Sequence, residues 1–126
     1  MSVYSRIFIG PTLEIATRLS YADFRKCDAF IEKHPELDEY AYNLSQDAVG
    51  KLVLIVDGMN GHYARLVYID KCTYNAHQSH TSQVTELSMP QIDDELLKRM
   101  KALYEEYTGQ EMKDGQIKYA IWTQWY

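Results

Sequence analysis

The sequence lacks a long apolar run and has few cysteines, and each absence excludes a class of protein. The longest uninterrupted apolar run is LVLIV at 52–56, far short of the roughly 20 residues that a membrane-spanning helix needs. Cys27 and Cys72, the two cysteines, form no CxxC pair, which is typical of a reducing cytoplasm rather than of a disulfide scaffold. Residues 1–15 also lack the pattern of a signal peptide. We therefore expect a cytoplasmic protein that does not contact a membrane.

Positive charge is also in short supply, since 18 Asp and Glu residues outnumber 13 Lys and Arg residues and leave a net charge of −5. Nucleic acid and anionic membrane surfaces repel such a chain, so we expect neither to be a direct partner. The motifs GxSxG, HExxH, GxxxxGK[ST] and GxGxxG are all missing. The sequence thus gives no positive support for an enzyme, and we expect no cofactor.

What is present is an ordinary globular composition that is rich in tyrosine. The 126 residues are 46% hydrophobic and 25% charged, which is typical of one folded domain, so we treat 1–126 as a single domain. Eleven Tyr residues accompany three Phe and two Trp. Since tyrosine joins a large apolar ring to a hydroxyl group, it suits half-buried sheet faces and protein interfaces equally well.

The start of the chain predicts two strands and a helix. Alternating apolar residues indicate strands over 3–9 and 13–19, interrupted at Gly10-Pro11 by a bend, bulge or hairpin turn. Ser20 is the expected N-cap of a helix over 21–33, whose apolar residues recur at helical spacing. They are Phe24, Cys27, Phe30 and Ile31.

The middle of the chain predicts a β-hairpin. Segment 36–44 is either a short second helix or an irregular acidic stretch. Two β-prone runs, 51–57 and 62–70, then flank GMNG, whose Asn60-Gly61 pair supplies the positive φ angles of a tight turn. The polar stretch KCTYNAHQSHTS that follows is predicted to be a loop or a ragged extension of the second strand.

The rest of the chain predicts a possible short strand, a helix and a final strand. Segment 82–89 is the possible strand, and the helix runs from Pro90 or Gln91 to Tyr107 with Ser88 as a possible N-cap. A strand over 117–126 closes the order ββαββ(β)αβ. We therefore expect an α+β fold with a single antiparallel sheet of five or six strands and two helices packed on one face.

Three potential metal ligands lie close together in KCTYNAHQSH at 71–80. Cys72, His77 and His80 carry the atoms that bind zinc or copper, but their spacing matches no closed structural zinc site and a fourth ligand is needed. A polar loop with two surface histidines is the alternative. We expect no metal, and we keep a small-molecule-binding protein or enzyme with a site around this loop as the alternative function.

Two acidic clusters are candidate partner surfaces. Glu36, Asp38 and Glu39 follow the first helix, and a second cluster, 93–95, starts the last helix. Spaced carboxylates of this kind can replace phosphates in the basic groove of another protein. Favourable interaction with the helix dipole and with solvent is the other explanation, and it accounts well for the second cluster.

The C-terminal segment IKYAIWTQWY carries four aromatic residues near the end of the chain. On a strand, Tyr119 and Trp125 share one face, whereas Trp122 and Tyr126 share the other. Either the strand is covered on both faces, or one face binds a partner through its aromatic rings. We expect these four residues to bind another protein, which is either foreign or a second copy of the chain.

The opening VYSRIFIGPTLEI, at 3–15, resembles the start of small phage-encoded accessory proteins of unassigned function, in which a tyrosine-rich strand runs into Gly-Pro and a second strand. Family members carry paired cysteines of zinc-ribbon type, but 20–50 contains only Cys27 and His34, so no ribbon is implied. The resemblance implies the cytoplasm of a bacterial host. Together with the acidic and aromatic residues, it leads us to expect a non-enzymatic binding protein that inhibits a host defence nuclease or a related component.

Overall fold

The computed structural model describes residues 4–37, 46–57, 63–76 and 92–125, and the structural statements below concern those residues. They form five strands and two α-helices. The strands are β1 (Tyr4–Thr17), β2 (Leu52–Asp57), β3 (Tyr63–Tyr68), β4 (Lys71–Ala76) and β5 (Lys118–Trp125), and the helices are α1 (Tyr21–Lys33) and α2 (Asp94–Thr108). Short 3-10 turns lie at Pro35–Leu37 and Gln46–Ala48. The strands pair in one curled antiparallel sheet, which confirms the predicted α+β class.

Strand β1 is the centre of the sheet. On one side β1 pairs with β3 and then with β4. Between the pairs Thr12↔Val67 and Ile9↔Lys71, the β3–β4 side has one residue more than β1. On its other side β1 pairs with β5, for example at Phe8↔Trp122. Strand β2 pairs with the far side of β3, which confirms the predicted hairpin, whereas its turn lies outside the described residues.

The prediction of two opening strands is wrong, because β1 runs without a break through Gly10-Pro11. A Cβ atom on Gly10 would lie 1.8 Å from the carbonyl oxygen of Tyr68, so the missing side chain lets the extra residue of the β3–β4 side pass over β1. The carbonyl of Ile9 accepts from the amide of Asp70 at 2.9 Å on that side. The backbone groups of alternate residues in a strand point to the same neighbouring strand. The position of the missing amide of Pro11 therefore lies on the same side as the carbonyl of Ile9, where pairing is already interrupted.

Of the two alternatives predicted for the stretch after the hairpin, the ragged extension of the second strand, and not the loop, describes its first six residues. Residues 71–76 form β4, because the register of β3 along β1 continues past the extra residue into Ile9↔Lys71 and on to Tyr4↔Ala76. The segment is polar and lacks the alternating apolar pattern that indicates a strand. Its strand conformation depends on backbone pairing with β1. The remainder of the predicted loop and the possible strand at 82–89 lie outside the described residues.

Both helices pack on one face of the sheet, as predicted. Cys27 and Phe30 of α1 and Met100 and Tyr107 of α2 belong to one buried cluster with the sheet residues of that face. The sheet residues are Leu13, Ile15, Leu52, Leu54, Ala64 and Leu66. The opposite face carries a smaller buried cluster of Phe8, Ala48, Val53, Val67 and Ile69. The helix-bearing face is therefore the main core.

Helix α1 begins where the sequence predicted. The hydroxyl of Ser20 accepts from the amide of Asp23, and the Asp23 carboxylate accepts from the amide of Ser20 at 2.8 Å. This reciprocal capping satisfies two amides that have no partner within the helix. The same bonds lower the pKa of Asp23, chiefly through the amide of Ser20.

Helix α2 begins later than predicted, at Asp94 instead of Pro90 or Gln91. Asp93 is its N-cap, and its Oδ1 accepts from the amide of Glu95 at 2.8 Å, so the proposed cap at Ser88 is wrong. Aspartate is among the best N-cap residues, since it accepts amide bonds and complements the positive end of the helix dipole. The helix ends at Thr108, and its C-cap, Gly109, adopts the left-handed conformation at φ +70°.

Candidate functional site

An open cleft of about 360 Å³ lies between the first turns of α2 and the middle of the sheet. It forms where β1 and β5 run beneath the helix at the register pair Pro11↔Tyr119. The polar residues that line it are Tyr68, Asp70, Asp93, Glu95, Arg99 and Tyr119. The cleft is thus built from one helix end and from three strands, β1, β3 and β5, that meet only in the folded sheet.

Tyr119 and Asp70 form a direct contact in this cleft. The hydroxyl of Tyr119 donates to Oδ2 of Asp70 at 2.7 Å across 49 residues of chain. Burial, with a further contribution from this bond, raises the pKa of Tyr119 to about 12. The phenol therefore stays protonated at neutral pH and holds the Asp70 carboxylate at the wall of the cleft.

The cleft carries an excess of negative charge. Asp70, Asp93 and Glu95 supply three carboxylates, and Arg99 supplies one guanidinium group. Nη2 of Arg99 also reaches Oε1 of Glu36 at 3.5 Å, which draws part of its charge away from the cleft. Two carboxylates in excess give the cleft a potential that attracts a cationic group.

This charge does not amount to a metal centre in the described part of the chain. Within residues 4–37, 46–57, 63–76 and 92–125, no three side chains of His, Cys, Asp or Glu converge closely enough to hold a metal ion. The negative charge of the cleft still favours a cationic group that does not need three converging ligands. The guanidinium of arginine and the ammonium of lysine meet that condition, and tyrosine rings favour both through cation–π contacts.

Of the four aromatic residues predicted to bind a partner, Tyr119 lines the cleft. Trp122 and Trp125 lie on β5 opposite Phe8 and Ser5, and their side chains are outside what the structure describes. Tyr126 lies outside the described residues altogether. The structure therefore places one of the four in the cleft, and the binding role of all four stays a prediction.

Of the three predicted acidic residues, Glu36 lies beside the cleft, since it contacts Arg99 at the end of the turn after α1. Asp38 and Glu39 lie outside the described residues. The helix dipole is the main explanation expected for the acidic cluster at the start of α2, and Asp93 does cap the helix. Asp93 also lines the cleft together with Glu95, so capping the helix leaves both carboxylates at the cleft wall.

The predicted metal loop is described only at its start. Cys72 lies on β4 opposite Phe8 and is half-buried against the smaller cluster, on the face away from the helices. His77 and His80 lie outside the described residues. The alternative site around this loop therefore stays a prediction.

No sequence pattern indicated that Asp70, Tyr68 and Arg99 would line a cleft. Asp70 ends a β-prone run, and its position beside Tyr119 depends on the way β3 and β5 flank β1. Arg99 lies among ordinary charged residues on the surface of α2. Among the polar lining residues, sequence signals were available for Tyr119, through the aromatic strand, and for Glu95 and Asp93, through their position at the start of the helix.

No family model, curated protein or solved structure matches this chain. Neither of the two described helices has the length and apolar character that crossing a membrane requires.

Proposed function

We propose that this protein is a non-enzymatic binding protein whose acidic, tyrosine-lined cleft docks a basic segment of a partner protein. The observation that carries the proposal is the meeting of Tyr119, from the aromatic strand, with Asp93 and Glu95, from the start of α2, in one cleft. Aromatic and acidic residues that are far apart in the chain thus share one surface. Such surfaces recognise arginine and lysine side chains of partners.

The partner class that we propose is a host defence nuclease. Nucleases expose basic residues where they bind phosphates, and a protein that presents spaced carboxylates competes for those residues. The chain carries a net charge of −5 and places two uncompensated carboxylates in the cleft. The resemblance of residues 3–15 to phage-encoded accessory proteins favours this class of partner over a basic protein of another kind.

A panel of purified bacterial restriction endonucleases tests this proposal. DNA cleavage is measured with increasing amounts of the wild-type protein and of the double variant Asp70→Asn, Glu95→Gln. Asparagine at position 70 still accepts a bond from Tyr119, so the variant removes charge and keeps the geometry. The matched control is Glu111→Gln, Asp114→Asn, which removes two exposed carboxylates outside the cleft.

We expect the wild type and the control to inhibit at least one nuclease and the cleft variant to inhibit it more weakly. The difference should shrink at high salt, because the Debye length falls from about 8 Å at 0.15 M to about 3 Å at 1 M. Inhibition that is equal in all three proteins would show that the cleft is not the docking surface. Absence of inhibition across the panel would count against the proposed partner class.

A second copy of the chain is the other candidate partner, and one observation favours it. Ile121 of β5 is 61% exposed, and within the described residues β5 pairs with β1 alone. An apolar side chain on such a strand is typical of a surface that another chain covers. Ile121→Lys should then lower the mass measured by light scattering, whereas Tyr21→Lys, at a residue 77% exposed on α1, should leave it unchanged.

A further inference from the structure

A second groove lies on the face of the sheet opposite the helices and is separate from the acidic cleft. Its volume is about 280 Å³, close to the lower end of the range for small-molecule sites. Strands β1, β2, β3 and β5 all contribute to it. Its lining residues include Thr12, Ile55, Tyr63, Arg65, Val67 and Ile121.

Thr12 is the unusual residue of this groove. It is 2% exposed, and within the described residues its Oγ1 is enclosed and makes no hydrogen bond. A buried hydroxyl without a partner destabilises the folded protein, and most buried side-chain hydroxyls have one. Valine has the same shape without this penalty, so an explanation is needed for the hydroxyl at this position.

The geometry of Thr12 allows the hydroxyl to find a partner in the groove. Oγ1 itself is closed to solvent, whereas Thr12 contributes to the groove lining. Threonine side chains occupy staggered positions related by turns of about 120° about χ1. Such a turn moves the hydroxyl to the position of the methyl group or of the hydrogen on Cβ, and where that position opens onto the groove a bound molecule can accept from it.

The charged residue of the groove is already neutralised. Nη2 of Arg65 donates to Oε2 of Glu14 at 2.8 Å, and the guanidinium carbon of Arg65 lies 5.6 Å from the ring centre of Tyr63. A charged ligand would compete with this ion pair or be repelled by one of its members. Arginine has five N–H donors, so the pair can still donate to a neutral carbonyl oxygen.

We propose that this groove binds a small, uncharged molecule that joins a flat apolar ring to an amide or carbonyl group. The aliphatic side chains of Ile55, Val67 and Ile121 supply apolar walls for the ring. Thr12 and Arg65 supply hydrogen bonds to the polar group. The site lies away from the acidic cleft and does not depend on the function proposed for it.

Benzamide is the probe that tests the site, with benzoate as its charged counterpart. Binding to the full chain is measured by saturation-transfer NMR, and the site is located from amide shifts of the isotope-labelled protein. The variants are Thr12→Val and Thr12→Ser, with Thr17→Val as the control, since Thr17 is an exposed threonine of the same strand. Thermal unfolding is followed for all four proteins.

We expect benzamide, and not benzoate, to bind the wild type with amide shifts at Val67 and Arg65. Thr12→Val should raise the unfolding temperature and weaken benzamide binding about fivefold, whereas Thr12→Ser and Thr17→Val should keep the affinity. Absence of benzamide binding to the wild type would overturn the proposal. So would equal affinity in Thr12→Val, or shifts confined to residues outside the groove. If Thr12→Val does not fold, the wild-type shifts and the comparison with benzoate decide the question.

Discussion

Replacement of Gly10 by alanine should destabilise the protein far more than a surface glycine replacement does. The added Cβ would lie 1.8 Å from the carbonyl oxygen of Tyr68, 3.0 Å from its carbonyl carbon and 3.1 Å from the amide nitrogen of Asp70. All three are backbone atoms of the segment that joins β3 to β4, so no side-chain rotation relieves the contact. Strand β1 or that segment must move.

The size of the effect follows from two costs. Backbone shifts that accommodate an extra methyl group in a packed site cost about 1–3 kcal/mol. Movement at this point also weakens the bond from the amide of Asp70 to the carbonyl of Ile9, which adds about 1 kcal/mol. Gly10→Ala should therefore lower the free energy of unfolding by about 2–4 kcal/mol, a large part of the roughly 5–15 kcal/mol typical of a domain.

Equilibrium unfolding in urea measures this loss, and Gly115→Ala provides the control. Gly115 has φ +86° and open space around its Cβ position, so alanine there costs only the strain of that conformation, about 1 kcal/mol. The contact with Tyr68 explains the difference. If Gly10→Ala is no less stable than Gly115→Ala, β1 does not run past Tyr68 as described, and a break at Gly10-Pro11 becomes the better account.

Three further predictions concern single contacts. The pKa of Tyr119 is about 12 in the folded protein and about 10 in the unfolded chain, so its stabilising contribution is present below pH 10 and is lost as the pH rises to 12. Tyr119→Phe should therefore make the free energy of unfolding, measured in urea, depend less on pH over that window. Lys33 and His34 lower the pKa of Glu106 below its usual 4.5, so the free energy of unfolding falls as acid protonates this carboxylate. Glu106→Gln should therefore lose less stability than the wild type as the pH falls below 4.5. Ser20→Ala removes a helix cap and should cost about 1 kcal/mol in the same urea assay.

The two helices were predictable because their signals are local. Ser20 and its capping partner mark the start of α1 within four residues of chain. The end of α2 at its C-cap, Gly109, follows the same logic. The start of α2 was placed too early, because apolar periodicity extends back to Ile92 whereas the N-cap at Asp93 sets the boundary.

The continuity of β1 was not predictable, because it depends on a distant part of the chain. Gly10-Pro11 is a strong local break signal. The chain nevertheless stays extended there, since Tyr68 and Asp70 pass against Gly10 from the β3–β4 side. A local pattern carries no information about that contact.

The candidate site was predictable in its residue types and not in its geometry. Tyr119 and the carboxylates at the start of α2 were recognised separately, as an aromatic strand and an acidic helix end. Asp70 joins them only because β5 lies beside β1 and brings Tyr119 within 2.7 Å of its carboxylate. That arrangement is a property of the sheet register.

Calorimetric titration of the protein with a hexa-arginine peptide tests most directly whether the acidic cleft docks a basic segment. The wild type is compared with Asp70→Asn, Glu95→Gln and with the control Glu111→Gln, Asp114→Asn at low and high salt. We predict that the cleft variant binds about tenfold more weakly than the other two at low salt, as loss of two charge contacts implies. Equal affinity of all three proteins would contradict the account and place any basic partner elsewhere on the surface.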